Sequence, residues 1–529
     1  MQHKKLTQNL NKINFDKIDN KIFYFLITLI SVSFTFYYGY LGVFPLDSFI
    51  IFDAGHKVLN GIHPFKDYWT ISGPFLDYLQ AIFFFIFKTN WFSYVLHSAF
   101  INCLLATIVF YFYVTVGLKK IYSLVYSLSI SILAYPSVGT PFMDHHAVIF
   151  SLISIIFLIL SFYKNEKKYW FFSGVFIIFS FFSKQIPSAY IGIIFIFIIL
   201  KYFFQSKKKI RKNINYFIIG VFSISTIFFI LFLVNRVPLY NFFIQYILYP
   251  MTIGSGRVSG FNFDLNNIFF QFKFIYLSLL PLIIVFFIIL KKKIKNKDKE
   301  KDFLVLCLLF LSFFIFIYSQ LLTKNQIFIF FLIPFYLGIS HIYCNKYYKK
   351  NFIEIFIFVI LLITTPKYHF NYNENKKFMD FVNTDFKLAI NAKIIDERLS
   401  GLRWITPKYS NNPAKEIKLI NQSKEIILRD KKNKIIVSNY QILSVMAKVK
   451  NYAPNKWFDP RSVPSKNNKY FVVYKEFFMS SLKKQKIQNI YIIGKNKIKH
   501  LNFINKDNCM SYGKINDLLF LANIEKCLN

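Results

Sequence analysis

Gly73-Pro74-Phe75-Leu76-Asp77-Tyr78-Leu79-Gln80-Ala81-Ile82-Phe83-Phe84-Phe85-Ile86-Phe87 decides how this chain threads. The apolar run 75–87 is shorter than the roughly 17–25 residues a helix needs to cross a bilayer, and Asp77 lies near its start. Counted as a span, it would put the basic clusters at Lys119-Lys120 and Lys207 on the outer side, against the rule that Lys and Arg mark the cytoplasmic side. Read as a helix lying at the outer membrane interface, it leaves every basic connection inside.

Outward from this helix the pattern is regular. The chain has 529 residues, is 55% hydrophobic and 21% aromatic, and its mean hydropathy is +0.40. These values belong to a polytopic helical membrane protein rather than a soluble domain. About eleven spans are predicted, near 23–44, 92–117, 121–138, 147–163, 169–183, 187–205, 214–235, 269–290, 303–322, 327–344 and 352–365. Basic stretches at 1–21, 119–120, 164–168, 207–212, 291–301 and 346–350 alternate with connections poor in charge at 139–146, 184–187, 237–266 and 323–326. The N-terminus is therefore expected in the cytoplasm of a bacterial cell, with the spans in its inner membrane and the tail in the periplasm. The first span is too long for a cleavable signal and lacks a small-residue cleavage site, so it reads as an anchor. The formal charge of +39 sits mostly in short loops, where it sets orientation, so it does not point to nucleic acid.

Composition changes near Thr365. Residues 1–365 read as the transmembrane domain, with a first outer loop at 45–91, and 366–529 as a periplasmic α/β domain. In that domain 434–438, 470–474 and 490–494 read as strands, 441–450 and 476–486 as helices, and 401–415 and 453–468 as loops. Cys103, Cys307 and Cys344 fall in spans and read as packing residues. An oxidising outer compartment would permit Cys509 and Cys527 to pair, although two free thiols is the plainer reading.

Ionisable residues within the spans are few: His97, Lys273 and Glu354. An ion-coupled transporter would need more. The polar chemistry gathers instead at the outer ends of helices. In a chain with 26 Asp+Glu against 65 Lys+Arg, the first outer loop carries Asp47, Asp53, Asp67, His56 and His63. Asp47, just past span one, is placed to take a proton from a hydroxyl, or simply to cap a helix after Pro45. Residues 48–59 have helical character, ended by Asn60-Gly61. Asp144-His145-His146 precede span four and suit a divalent metal, an acceptor or a phosphate; the alternative is a helix N-cap with two solvated histidines. Lys184, in Ser183-Lys184-Gln185, is a cation on the wrong side of the charge bias and so suits an anion, or else snorkels. Arg257, in Gly254-Ser255-Gly256-Arg257-Val258-Ser259-Gly260, reads as part of a flexible loop able to close on phosphate, and the Gly-Lys-Ser/Thr ending of a P-loop is missing.

These residues carry a resemblance. Asp47, the short helix after it, Asn60-Gly61-Ile62-His63-Pro64-Phe65-Lys66-Asp67-Tyr68 and Gly73-Pro74-Phe75-Leu76-Asp77 resemble the GT-C superfamily of membrane glycosyltransferases. The nearest look-alikes are bacterial relatives of protein O-mannosyltransferases and of the lipid A aminoarabinose transferase. Ser183-Lys184-Gln185 is similar to their Thr/Ser-Lys-x turn, whereas Ser48 stands where many of them carry Glu. The likeness covers about residues 23–200, and the rest agrees in architecture only.

The resemblance implies transfer of a hexose or pentose from a polyprenyl-phosphate carrier to a glycan, lipid or protein acceptor, with inversion. Asp47 would be the general base. Lys184 and Arg257 would face the lipid phosphate, His56, His63 and Asp67 would bind substrate or phosphate, and Asp144, His145 and His146 would shape the site. Some relatives bind a divalent metal, Mg or Mn, and Asp144 with His145 are the ligand candidates here. Three other functions have their own sequence signatures. A polysaccharide polymerase or ligase would place Arg and His in a large late loop, but 237–266 holds Arg257 and no His. A transporter or flippase of lipid-linked sugars would show intramembrane charges or a repeat. A non-catalytic scaffold would tolerate loss of Asp47.

Overall fold

The computed structural model describes residues 17–205, 208–259, 264–291, 297–323, 329–348, 351–459, 461–505 and 508–528. Parts of the connections expected at 1–21, 207–212, 237–266, 291–301, 323–326 and 346–350 lie outside them.

Each of the eleven expected spans is a helix. Among the described residues eight are, by length and composition, long and apolar enough to cross a membrane: Asn20–Gly39, Trp91–Val116, Met143–Lys164, Gln185–Phe204, Arg211–Val234, Lys273–Lys291, Lys299–Thr323 and Phe352–Met379. The other three, Lys120–Leu133, Lys167–Ser183 and Leu332–Tyr347, have 14, 17 and 16 residues. At about 1.5 Å per residue the shortest spans about 21 Å, less than the hydrocarbon thickness. Apolar side chains in these helices also serve burial against protein: Met143–Lys164 is almost wholly enclosed by its neighbours, and nearly all of Leu332–Tyr347 is buried. The composition break at 365 falls inside the helix Asn351–His369, which continues as a π-turn to Glu374.

The helix ends differ chemically. At one end basic connections meet: Lys120 Nζ donates to Ile18 O at 2.8 Å, Asn213 to Asn165 O at 2.7 Å, and Lys346 to the buried Asp302 at 2.6 Å. At the other end the backbones come very close. Gly139, at φ 75°, lies against Gly39, so that a Cβ there would sit 2.5 Å from Gly39 Cα. A Cβ on Gly73 would lie 1.8 Å from Phe182 O, and Gly73 N donates to Ser183 O at 3.1 Å. Only glycine lets the first loop touch the turn before Lys184.

Phe75–Phe87 is a 13-residue helix, with Leu76, Asp77, Gln80 and Phe84 buried and Ile82, Phe85 and Ile86 exposed. That one-sided exposure matches the helix expected at the interface. The amphipathic helix Ile50–Leu59 packs against it.

The C-terminal domain sits on this layer. Gly42 N and Val43 N donate to Arg403 O and Ile405 O at 3.0 Å each, Trp69 N donates to Pro454 O at 3.1 Å, and Lys456 N to Trp69 O at 2.9 Å. Its sheet runs in the order Lys434–Val437, Asn489–Ile493, Leu519–Asn523, Ser511–Lys514. The first pair is parallel and the others antiparallel. The strand expected at 470–474 is instead the start of the helix Phe471–Lys484. Its buried Tyr474, Phe478 and Leu482 recur every four residues, a helical period that wins over the β-branched run. Cys509 and Cys527 form a disulfide, which corrects the free-thiol reading.

Candidate active site

Pro45 opens a one-turn helix, Pro45–Ser48. Ser48 Oγ accepts from Phe44 N at 3.0 Å and Ser48 O accepts from Tyr94 OH at 2.9 Å, which locks the turn. The turn leaves Asp47 8% exposed, lining a cavity. Its carboxylate accepts no hydrogen bond from the described residues. Burial, then the negative charges of Asp144 and Asp459, push its pKa from 3.8 up to about 7, against the opposing pull of Lys184.

The cavity holds about 240 Å³ and brings together Asp47, Asp144, Lys184, Arg257, Asp459 and Arg461. Asp144 lies in the first turn of Met143–Lys164, where the helix dipole favours an anion. Lys184 caps the end of Lys167–Ser183 and pairs with the Asp144 carboxylate. The turn is clamped by Gln185, whose side chain donates to Ile71 O at 2.9 Å and to Tyr246 O at 2.5 Å. Arg257 is half-buried, and its Nε has no partner among the described residues. Burial and the neighbouring Arg461 hold its pKa below the ordinary value. It lies on the helix Tyr249–Ser259 rather than on a flexible loop, a correction that follows from Tyr249 and Ile253 packing on the C-terminal domain, which outweighs the Gly/Ser content.

Nothing in the sequence singles out Asp459 and Arg461. They come from the 453–468 stretch, which reads only as a loop. The loop is held down by Lys456, whose Nζ lies 2.5 Å from Asp77 Oδ1 and 2.9 Å from Ser72 Oγ; Tyr68 OH donates to Asp77 Oδ2 at 2.8 Å.

The other expected residues lie elsewhere. His145 Nε2 is 3.0 Å from Ala134 O. His146 Nδ1 is 2.5 Å from Tyr135 OH, and its Nε2 is 3.0 Å from His97 Nε2. Both are buried, because successive helix residues are about 100° apart and Asp144 alone takes the direction of the cavity. His63 N donates to Asp67 Oδ2 at 2.8 Å, and Tyr452 OH donates to Asp67 Oδ1 at 3.3 Å, so this pair shapes the loop. His56 lines a separate recess with Asp53 and Lys57. No three His, Cys, Asp or Glu side chains gather as metal ligands among the described residues. Asp144 is neutralised by Lys184 while His145 points away, so this pair does not fit a divalent metal.

Beside the polar cavity, sharing Leu322 with it, lies an apolar recess of about 580 Å³ lined by Val258, Phe269, Tyr276, Phe314 and Leu321.

No protein-family model matches the chain, and no curated protein matches it. Among solved structures it is similar to the Archaeoglobus fulgidus oligosaccharyltransferase in complex with zinc and sulfate, at TM-score 0.49 and 13% identity, over 89% of this chain and 68% of that one. It is also similar to the archaeal oligosaccharyltransferase AglB from Archaeoglobus fulgidus in complex with an inhibitory peptide and a dolichol-phosphate, at TM-score 0.45 and 13% identity, over 91% and 70% of the two chains.

Proposed function

We propose that this chain is a GT-C-type membrane glycosyltransferase, moving a sugar from a polyprenyl-phosphate carrier to a cell-envelope acceptor on the outer face of a bacterial inner membrane. One observation carries the reading: Asp47, with its raised carboxyl pKa, shares a cavity with the cations Lys184, Arg257 and Arg461. A base and a set of cations in one enclosure suit the two charges that move in such a transfer.

The acceptor hydroxyl gives its proton to Asp47 while its oxygen attacks the anomeric carbon. The bond from that carbon to the phosphate oxygen breaks, and its electron pair leaves with the lipid phosphate. Attack opposite the leaving group inverts the centre. Lys184, Arg257 and Arg461 face the charge that grows on the phosphate. A pKa near 7 suits a base working near neutrality. The adjoining apolar recess fits the first isoprene units of the carrier.

The test is lipid analysis of cells producing only the Asp47→Asn protein. A polyprenyl-phosphate sugar should accumulate, and the natural chain should restore its consumption. An unchanged lipid profile would refute the proposal.

A further inference from the structure

A second recess lies between the helix Ile50–Leu59 and the C-terminal domain. Its outer part, about 360 Å³, is lined by His56, Asn60, Arg398, Lys448, Lys450 and Tyr452. A narrower inner part of about 10 Å³, room for a single water-sized group, reaches Gln441 and Asn455. Asp53, Lys57, Ser444 and Asn451 border both parts, and neither part shares a residue with the cavity around Asp47.

The charges do not cancel. Lys57 pairs with Asp53 at 2.7 Å, and Arg398 grips Asp396 through Nε at 2.7 Å and Nη2 at 2.8 Å. Lys448 and Lys450 are left over at the rim, with no ion pair or side-chain hydrogen bond among the described residues. Lys448 is held in a left-handed turn at φ 48°. Val449 N donates to Ser444 O at 3.0 Å, which fixes the segment that presents both lysines.

The floor is unsatisfied as well. Gln441 is 8% exposed, borders the inner part, and neither its amide nitrogen nor its amide oxygen has a partner among the described residues. His56 Nδ1 and Asn455 Oδ1 are buried without partners in the same way. A buried amide lacking both bonds is costly unless a water or a ligand hydroxyl completes it. An amide that both donates and accepts matches a sugar hydroxyl, which does the same. The Tyr452 ring and the Asn451 amide, groups of the kind that contact sugars, also line the outer part, whereas Ile62, Val445 and Val449 supply too little apolar wall for a lipid tail.

We propose that the outer part of this recess binds an acidic saccharide residue, one hydroxyl reaching into the inner part toward Gln441 and its carboxylate or phosphate held by Lys448 and Lys450. The site does not depend on the transferase reading, and a binding experiment keeps the two apart.

The full-length chain in detergent is titrated with glucuronate, glucose 6-phosphate, glucose and inorganic phosphate, with affinity read by saturation-transfer NMR and calorimetry. Glucuronate or glucose 6-phosphate should bind at least about tenfold more tightly than glucose, since bonds to charged groups are the strong ones. The exposed double variant K448Q/K450Q should weaken the acidic sugars about tenfold and leave glucose alone. Gln441→Leu should weaken every sugar and leave inorganic phosphate unchanged, and Asp47→Asn should change none of these affinities. Acidic sugars binding no better than glucose, or indifferent to K448Q/K450Q, would overturn the proposal. Inorganic phosphate binding as tightly as glucose 6-phosphate would overturn the saccharide assignment.

Discussion

Replacing Asp47 by Asn should make the protein more stable, and increasingly so as pH rises. The buried carboxyl has a pKa of about 7 in the folded chain against 3.8 for an ordinary Asp, so folding takes up a proton between those values. A raised folded value adds stability that is fully present below the unfolded pKa and is lost as pH rises through the folded one. At about 1.4 kcal/mol per pKa unit the loss amounts to about 4 kcal/mol once the group is ionised in both states. About 2.5 kcal/mol of this develops between about pH 5 and about pH 8. Asn has nearly the same shape and does not titrate. The stability gap between D47N and the natural chain should therefore widen over that range by the same amount. Unfolding in mixed micelles, followed by tryptophan fluorescence at several pH values, measures the gap. A gap constant to within about 0.5 kcal/mol, or one that narrows with pH, would refute the buried, proton-holding Asp47.

Lys184→Met should lower kcat by about 10²–10³, the usual cost of losing one group that stabilises growing anionic charge. It should also move the alkaline rise of the rate to higher pH, because Lys184 is the charge that lowers the Asp47 pKa; a steady-state pH profile checks both. Lys456 and Asp77 have side chains 4% and 0% exposed. Breaking the pair with Lys456→Met should cost about 3–5 kcal/mol, and the double variant K456M/D77L should be less destabilised than either single change, as thermal unfolding would show. Exchanging both Cys509 and Cys527 for Ser should cost the C-terminal domain about 3 kcal/mol, read as faster amide exchange in Ser511–Lys514 and Leu519–Asn523.

The membrane helices were legible because an apolar run of that length has few other uses. What the run could not tell is whether it faces lipid or protein, and that is why Lys120–Leu133 and Leu332–Tyr347 come out shorter than a bilayer. Asp47, Asp144, Lys184 and Arg257 stood out as isolated ionisable groups at helix ends poor in charge, and they share one cavity. His145 and His146 stood out for the same reason but face protein, a distinction that needs the helix phase at Met143. His56, His63 and Asp67 sit on the same loop as Asp47, yet closeness along the chain did not put them in the same cavity. Asp459 and Arg461 could not be found by pattern. They reach the site only through the Lys456–Asp77 pair and the backbone bonds at Trp69, contacts between segments far apart in the chain.

The most direct measurement is the rate of sugar transfer from a polyprenyl-phosphate donor by the purified chain as a function of pH, with and without Asp47. The natural protein should show kcat/KM rising to a plateau with its midpoint near 7, set by the Asp47 carboxyl. D47N should lose at least about 10²-fold at the plateau. Transfer by D47N at the natural rate would contradict the account.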